Sequence, residues 1–334
     1  MLLECVLAAV LASVAVQERA VQAGAVAAPA QEVQLVVPRF EHRSAESERA
    51  FARAAKENRR VLVVLKGPDA AHEAHTLLDV ALATAKVRTK LSYEYDVLTV
   101  DAAAYARQEA ERRKGGQSDG FVLDPQAALP RLVIVDAERK LLAETGVEAW
   151  WTTDASGARR LDEKQLLAHL TQHQAPYLEA AKVRDAALAR AKAEGKLVFL
   201  HFGAPWCGWC HKLEGWMERE KVAPLLAREF VDLKIDTDRM TGGAELLKFL
   251  RTAAGLKEQG GIPWFVFLDA EGRVLTTSEG PQGNTGFPYA DEEVAHFVTM
   301  LQTTCKKLGA PEIAQLREEL AAVRREDEAK KAAK

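Results

Sequence analysis

Residues 197–212 read Leu197-Val198-Phe199-Leu200-His201-Phe202-Gly203-Ala204-Pro205-Trp206-Cys207-Gly208-Trp209-Cys210-His211-Lys212. An apolar run without polar alternation is the mark of a strand covered on both faces. It ends at Gly203-Ala204-Pro205, where glycine and proline turn the chain, and a helix is expected to start near Cys207. A thiol in the first turn of a helix meets unpaired backbone N–H groups and the positive end of the helix dipole, which stabilise its thiolate. Cys207 is therefore the expected nucleophile. Cys210, three residues on and one turn deeper, is placed to attack a mixed disulfide and release the substrate. His211, four residues after Cys207, can share its helix face and favour the thiolate as an imidazolium.

Working outward, the stretch has a second version earlier in the chain. A shift of 136 residues sets Val61-Leu62-Val63-Val64-Leu65 over Leu197-Val198-Phe199-Leu200-His201, with Gly67 over Gly203 and His75 over His211. Val100-Asp101 ends one apolar strand as Ile235-Asp236 ends another. Leu129-Pro130 through Glu138 then matches Ile262-Pro263 through Glu271 at a shift of 133. Each copy reads as helix, buried strand, helix, strand, an excursion, then a proline-led strand, a turn at Asp136 or Asp269, and a last strand. Strands alternating with helices indicate an α/β sheet, and the turns add an antiparallel pair. Helices are expected near 162–173, 177–194, 244–254 and 291–307. The copies divide near Ala175-Pro176.

A chain of 334 residues corresponds to two domains at roughly 100–200 residues each. Its 48% hydrophobic and 28% charged content is that of an ordinary folded chain. A net charge of -3 provides no basic field for nucleic acid, which is excluded as an expected partner. Four cysteines, Cys5, Cys207, Cys210 and Cys305, are too few to staple the chain and point to chemistry at the close pair. Cys5 to Val16 is an uncharged run, too short for the ~20 residues of a membrane span but suited to a signal peptide, with small-residue cleavage sites at Ala25-Val26-Ala27 and Ala28-Pro29-Ala30. Glu4 has the wrong sign for the segment before such a run, and an apolar N-terminal helix packed on the domain is the alternative. Export, with residues 1–30 removed and no membrane span remaining, is the expectation. At the other end, residues 309–334 are charged, with Ile313, Leu316, Leu320 and Val323 on one helical face. The seam is too short for a coiled coil and reads as a solvated helix that docks weakly and frays.

Residues 197–275 resemble the thioredoxin superfamily. The resemblance rests on the Trp206-Cys207-Gly208-Trp209-Cys210 motif after an apolar strand, on Lys234-Ile235-Asp236 ending the next, and on Gly261-Ile262-Pro263 opening the third. It implies two tandem thioredoxin-like domains, each a central mixed sheet flanked by helices. It also implies a cis bond before Pro263, and substrate pairing along the backbone of Ile262. Thioredoxins proper have Gly-Pro where this chain has Gly208-Trp209, a dipeptide that tunes the redox potential in the family. The buried acid that the family places six residues before the first cysteine is here His201, and a common lysine position falls on Asp232. A His201/Asp232 couple is thus a candidate for proton transfer, the alternative being that His201 is simply a hydrogen-bonded strand residue. The motif sets Trp206, Trp209 and Trp264 near the sulfurs, where exposed aromatics suit an extended peptide. Trp216 is expected in the core.

The first copy has Ala71 and Ala74 at the cysteine positions and keeps Pro130, so it resembles a redox-dead thioredoxin fold, a kind of domain that binds partners. Its His72 and His75 lack an evident third ligand and read as solvated first-turn residues rather than a metal pair. Trp150 and Trp151 are candidates for a contact surface or for core. Three rival readings of the cysteine pair are open. Cys207–His211 also fits the attachment signature of a c-type haem. A zinc site would need a second ligand pair that the chain lacks, and a purely structural disulfide would close a very short loop. The expected assignment is a thiol-disulfide oxidoreductase acting on protein or peptide thiols and disulfides, recharged by a redox partner, with no cofactor and no metal. A peptide-binding or chaperone-like protein with an incidental disulfide is the alternative. The expected domains are 40–175 (redox-inactive) and 176–308 (carrying the cysteines).

Overall fold

The computed structural model describes residues 37–67 and 73–333. The expected signal segment, Cys5, Ala71 and His72 lie outside them. The first half runs α1 (Ala45–Lys56), β1 (Arg60–Lys66), α2 (Glu73–Ala83), α3 (Ala85–Glu94), β2 (Tyr95–Asp101), α4 (Ala102–Lys114), β3 (Arg131–Val135), β4 (Leu141–Gly146), the small hairpin β5 (Trp151–Thr153) and β6 (Arg159–Leu161), and α5 (Glu163–His173). The second runs α6 (Ala180–Glu194), β7 (Leu197–Gly203), α7 (Gly208–Met217), α8 (Ala223–Glu229), β8 (Phe230–Asp236), α9 (Gly243–Ala253), β9 (Trp264–Leu268), β10 (Val274–Thr277), the hairpin β11 (Glu279–Gly280) and β12 (Gly283–Asn284), α10 (Asp291–Thr304) and α11 (Ala310–Ala332).

Both halves build the same four-stranded mixed sheet, ordered β2-β1-β3-β4 and β8-β7-β9-β10. The first two strands of each are parallel, joined by helical crossovers, and the third and fourth run antiparallel. The central strands are buried on both faces. In β1, Val61, Val63 and Leu65 share a core with Phe51 and Ala54 of α1. In β7, Val198, Leu200 and Phe202 do the same with Ala187 and Ala191 of α6. These are tandem thioredoxin-like domains with a mixed sheet between helices.

Register corrects one detail. Val61 pairs with Val135, and Val198 with Leu268; Lys66 and Gly203 face the aspartates that end β2 and β8. The offset between β1 and β7 is therefore 137 residues, not 136. A strand buried on both faces carries no alternation to fix its register, so a slip of one residue costs nothing in a comparison of sequences. With either offset the first copy lacks the thiols, because no cysteine occurs between Cys5 and Cys207.

Two further expectations change. His75 is buried rather than solvated, its ring Nε2 facing the Gly67 N–H at 3.4 Å. The C-terminal helix α11 does not dock weakly. Ile313, Leu316, Leu320 and Val323 join the core of Phe199, Trp216, Phe265 and Phe297. Arg219 beside α7 donates to Glu319 at 2.7 Å and to Glu326 at 2.9 Å, and Lys212 pairs with Asp327. Four apolar side chains on one face suffice when the body of the domain supplies the matching face. Trp150 is core, and Trp151 is partly buried under the Arg159 guanidinium at 5.0 Å.

Candidate functional site

The disulfide sits where β7 hands over to α7. Cys207 is the N-cap of α7, and its Sγ accepts the N–H of Cys210 at 3.2 Å. Cys207 and Cys210 are bonded to each other; Cys207 is 4% exposed and Cys210 1%. The outer sulfur is thus also the one that a backbone donor would stabilise as a thiolate. Across the site, the Ile262–Pro263 bond is cis, as the resemblance implies, and Leu129–Pro130 is cis in the first domain. Cys207 Sγ lies 3.6 Å from the Ile262 carbonyl oxygen, so the segment before the proline faces the outer sulfur. Gly203 packs closely on the inner cysteine. A Cβ there would lie 3.2 Å from Cys210 Cβ and 3.4 Å from its Sγ.

Trp206 and Trp209 flank the disulfide and are 63% and 51% exposed. Trp206 donates its indole N–H to Asp238 at 3.0 Å. Trp209 leans on the loop before α10, with Phe287 and Tyr289 ring centroids at 6.3 and 5.6 Å. Trp264 corrects the sequence reading. It is fully buried on β9, against Phe202 and under the Arg251 guanidinium at 5.5 Å. Its position in the strand turns it toward the α6 face of the sheet, in the core with Ala187 and Ala191. His211 is also turned away, its Nε2 at 2.9 Å from the Pro205 carbonyl; its other nitrogen lies 4.0 Å from Glu214.

Behind the helix, His201 and Asp232 do form a couple, with Nε2 and Oδ1 3.1 Å apart. His201 is buried, whereas the Asp232 side chain keeps contact with water. Burial pushes the Asp232 carboxyl up, but the His201 hydrogen bond, with the charges of His201, Lys56 and Lys234, holds it below the ordinary carboxylate range. The sequence reading missed the second half of this cluster. Glu214 lies four residues after Cys210, one turn along the same helix face. Its Oε1 would stand 3.7 Å from a Cβ on Gly203, the residue that also touches Cys210. Lys234, two residues beyond Asp232 on β8, is 2.9 Å from that oxygen and donates to Oε2 at 3.0 Å. His201, Glu214, Asp232 and Lys234 line a recess of about 420 Å³.

Asn284 was also missed. Its amide donates to the Gly261 carbonyl at 3.1 Å and the Pro263 carbonyl at 2.9 Å, clamping both ends of the cis-proline turn. Its own oxygen accepts from Ser278 at 2.8 Å and the Gly286 N–H at 3.1 Å. The short hairpin β11–β12 between β10 and α10 delivers it, and no motif marks it. Cys305 plays no part in this site; burial, with the nearby Glu229 charge, pushes its thiol up to about 12. Among the described residues no helix is long and apolar enough to cross a membrane.

The sequence model of the family Thioredox_DsbH, described as "Protein of unknown function, DUF255", matches residues 159–325, half of the chain. The chain belongs to this family, within the thioredoxin superfamily. An uncharacterized protein of Caenorhabditis elegans is 31% identical over 129 residues, 37% of this chain and 16% of the relative. The chain therefore matches about a sixth of that relative's length. Among solved structures, a disulphide isomerase from Xylella fastidiosa Temecula1 is 27% identical, over 37% of this chain and 91% of that one, with a TM-score of 0.31. A thioredoxin from Thermus thermophilus is 24% identical, over 40% and 90%, with a TM-score of 0.27. A structure described as DsbH oxidoreductase is 21% identical, over 38% and 83%, with a TM-score of 0.26.

Proposed function

We propose that this Thioredox_DsbH member is an exported thiol-disulfide oxidoreductase acting on protein disulfides, with Cys207 as nucleophile and Cys210 as resolving thiol. The observation that carries this reading is the unequal setting of the two sulfurs. Cys207 is the more accessible, caps α7, receives a backbone N–H and faces the turn before Pro263, while Cys210 lies beneath it. In the reducing direction the Cys207 thiolate attacks a substrate disulfide sulfur, and one substrate sulfur leaves as a thiolate. Cys210, deprotonated, then attacks Cys207 Sγ in the mixed disulfide. The Cys207–Cys210 bond forms and the second substrate thiolate departs, so the substrate gains two electrons and the pair loses two. A partner dithiol restores the pair, and the same steps reversed oxidise a substrate dithiol.

His201, Asp232 and Glu214 are the groups available to take the Cys210 proton. Ile262 and Pro263 guide the substrate backbone, with Trp206 and Trp209 beside it. Haem attachment suits the site poorly, because Cys210 is packed against β7 and a macrocycle could bond it only by unpacking the helix. Replacing Cys207 with Ser and following insulin reduction by a dithiol tests the assignment. Turnover is expected to vanish, and unchanged turnover would remove Cys207 from the chemistry and favour a peptide-binding protein with an incidental disulfide.

A further inference from the structure

Trp206 adjoins the nucleophile and is 63% exposed. A large side chain that exposed, on a turn, keeps its rotamer freedom unless something holds it, and a partner that uses it must then immobilise it. Its indole N–H donates to Asp238 Oδ2 at 3.0 Å. The same oxygen accepts the hydroxyl of Tyr93 at 3.2 Å. Tyr93 belongs to α3, in the domain that carries no thiol.

Asp238 is itself held firmly. Its N–H donates to Asp236 at 2.9 Å, its Oδ1 accepts the Thr237 hydroxyl at 3.2 Å, and the Thr237 N–H donates to the Gly203 carbonyl at 2.9 Å. Arg239, the next residue, is buried in the first domain's surface. It donates to Glu94 at 3.1 Å and to the carbonyls of Glu57 and Asn58 at 2.9 and 2.8 Å. A continuous line of contacts thus runs from the α1–β1 turn and the end of α3, through the loop after β8, to the ring beside Cys207.

We propose that the first domain is part of the thiol site: through Tyr93 and Asp238 it fixes the Trp206 ring as a platform for the residue flanking the cysteine of an extended polypeptide substrate. The inference rests on the oxidoreductase reading and adds to it a positioning role for Tyr93 and Asp238. A preset ring spares the complex the cost of ordering it, so the benefit falls on KM for a polypeptide.

The test uses the full chain, an unfolded disulfide-bearing peptide as substrate, and the indole N–H resonance of Trp206, assigned through Trp206→Phe. Tyr93→Phe and Asp238→Ala are each expected to raise the peptide KM about two- to tenfold, with most of the loss in KM rather than kcat. Both are expected to shift the Trp206 resonance, and Asp238→Asn, which keeps an acceptor oxygen, is expected to restore it in part. Tyr93→Phe removes a single hydroxyl and keeps the test valid should Asp238→Ala fail to fold. A KM for Tyr93→Phe equal to that of the unmodified chain, or an unmoved Trp206 resonance in the variants, would overturn the proposal. If the unmodified chain fails to turn over the peptide, the oxidoreductase reading falls instead, and the resonance still decides whether Tyr93 and Asp238 hold the ring.

Discussion

Replacing Arg239 with Met tests whether the two domains are one structural unit. Arg239 and Glu94 are 5% and 2% exposed at the side chain and pair at 3.1 Å. Without the guanidinium, Glu94 keeps the Tyr177 hydroxyl at 2.7 Å as its described donor, and the carbonyls of Glu57 and Asn58 lose theirs. Methionine preserves most of the aliphatic stem, so the loss is electrostatic rather than a cavity. Removing one partner of a buried ion pair costs about 3–5 kcal/mol, most of it from the charge left behind. Urea unfolding, followed by tryptophan fluorescence and far-ultraviolet circular dichroism, measures the loss. Glu94→Gln in the same chain removes the orphaned charge, so the double variant should be more stable than the sum of the single losses predicts, by about 0.5–3 kcal/mol. A cost for Arg239→Met below about 1 kcal/mol, or single effects that add to within about 0.5 kcal/mol, would refute the argument.

Two other outcomes follow from single side chains. Asn284→Ala removes both donors from the cis-proline turn and should cost about 1–3 kcal/mol in urea unfolding, with a lower kcat/KM for disulfide substrates; unchanged values would show that the turn needs no clamp. His169 packs against Trp150 and His173, with centroids at 5.1 and 4.8 Å. Burial first, and His173 second, lower its pKa from 6.5. Its neutral form is favoured by folding, so stability is full above the unfolded value and falls as pH drops through about 6.5, where the unfolded chain takes up the proton first. Denaturation curves between pH 5 and 7.5 should flatten in His169→Gln, and an identical slope would exclude His169 as the source.

The fold was legible because its signals are local and repeated. Apolar runs gave β1, β3, β7 and β9, the aspartate turns gave the hairpins, and Cys207-Gly208-Trp209-Cys210 marked the start of a helix. What escaped is long-range. Trp264 occupies a position next to Pro263 in sequence, yet the pleat of β9 sends it into the core. Glu214 and Lys234 meet only when α7 lies on β8, Asn284 reaches the cis-proline turn from the hairpin β11–β12, and α11 is held by apolar contacts and by Lys212 and Arg219, about a hundred residues earlier in the chain. The one-residue slip between β1 and β7 has the same origin, since a strand covered on both faces lacks the polar side that fixes register.

The absence of thiols in the first domain takes on a different sense once Arg239 is considered. A lone second domain would display a guanidinium shaped for a carboxylate and two carbonyls that it does not itself possess. A lone first domain would expose Glu94 and the Glu57 and Asn58 carbonyls, all of which are met by Arg239. Each surface is complete only against the other, and the loop that completes them also carries Asp238, the partner of Trp206. On the proposal made above, the first domain has a task that needs no cysteine: its acceptors meet Arg239 of the loop after β8, and that loop reaches the ring beside Cys207. A domain that only tethered a partner would not need its α3 hydroxyl within 3.2 Å of the carboxylate that accepts the Trp206 indole N–H.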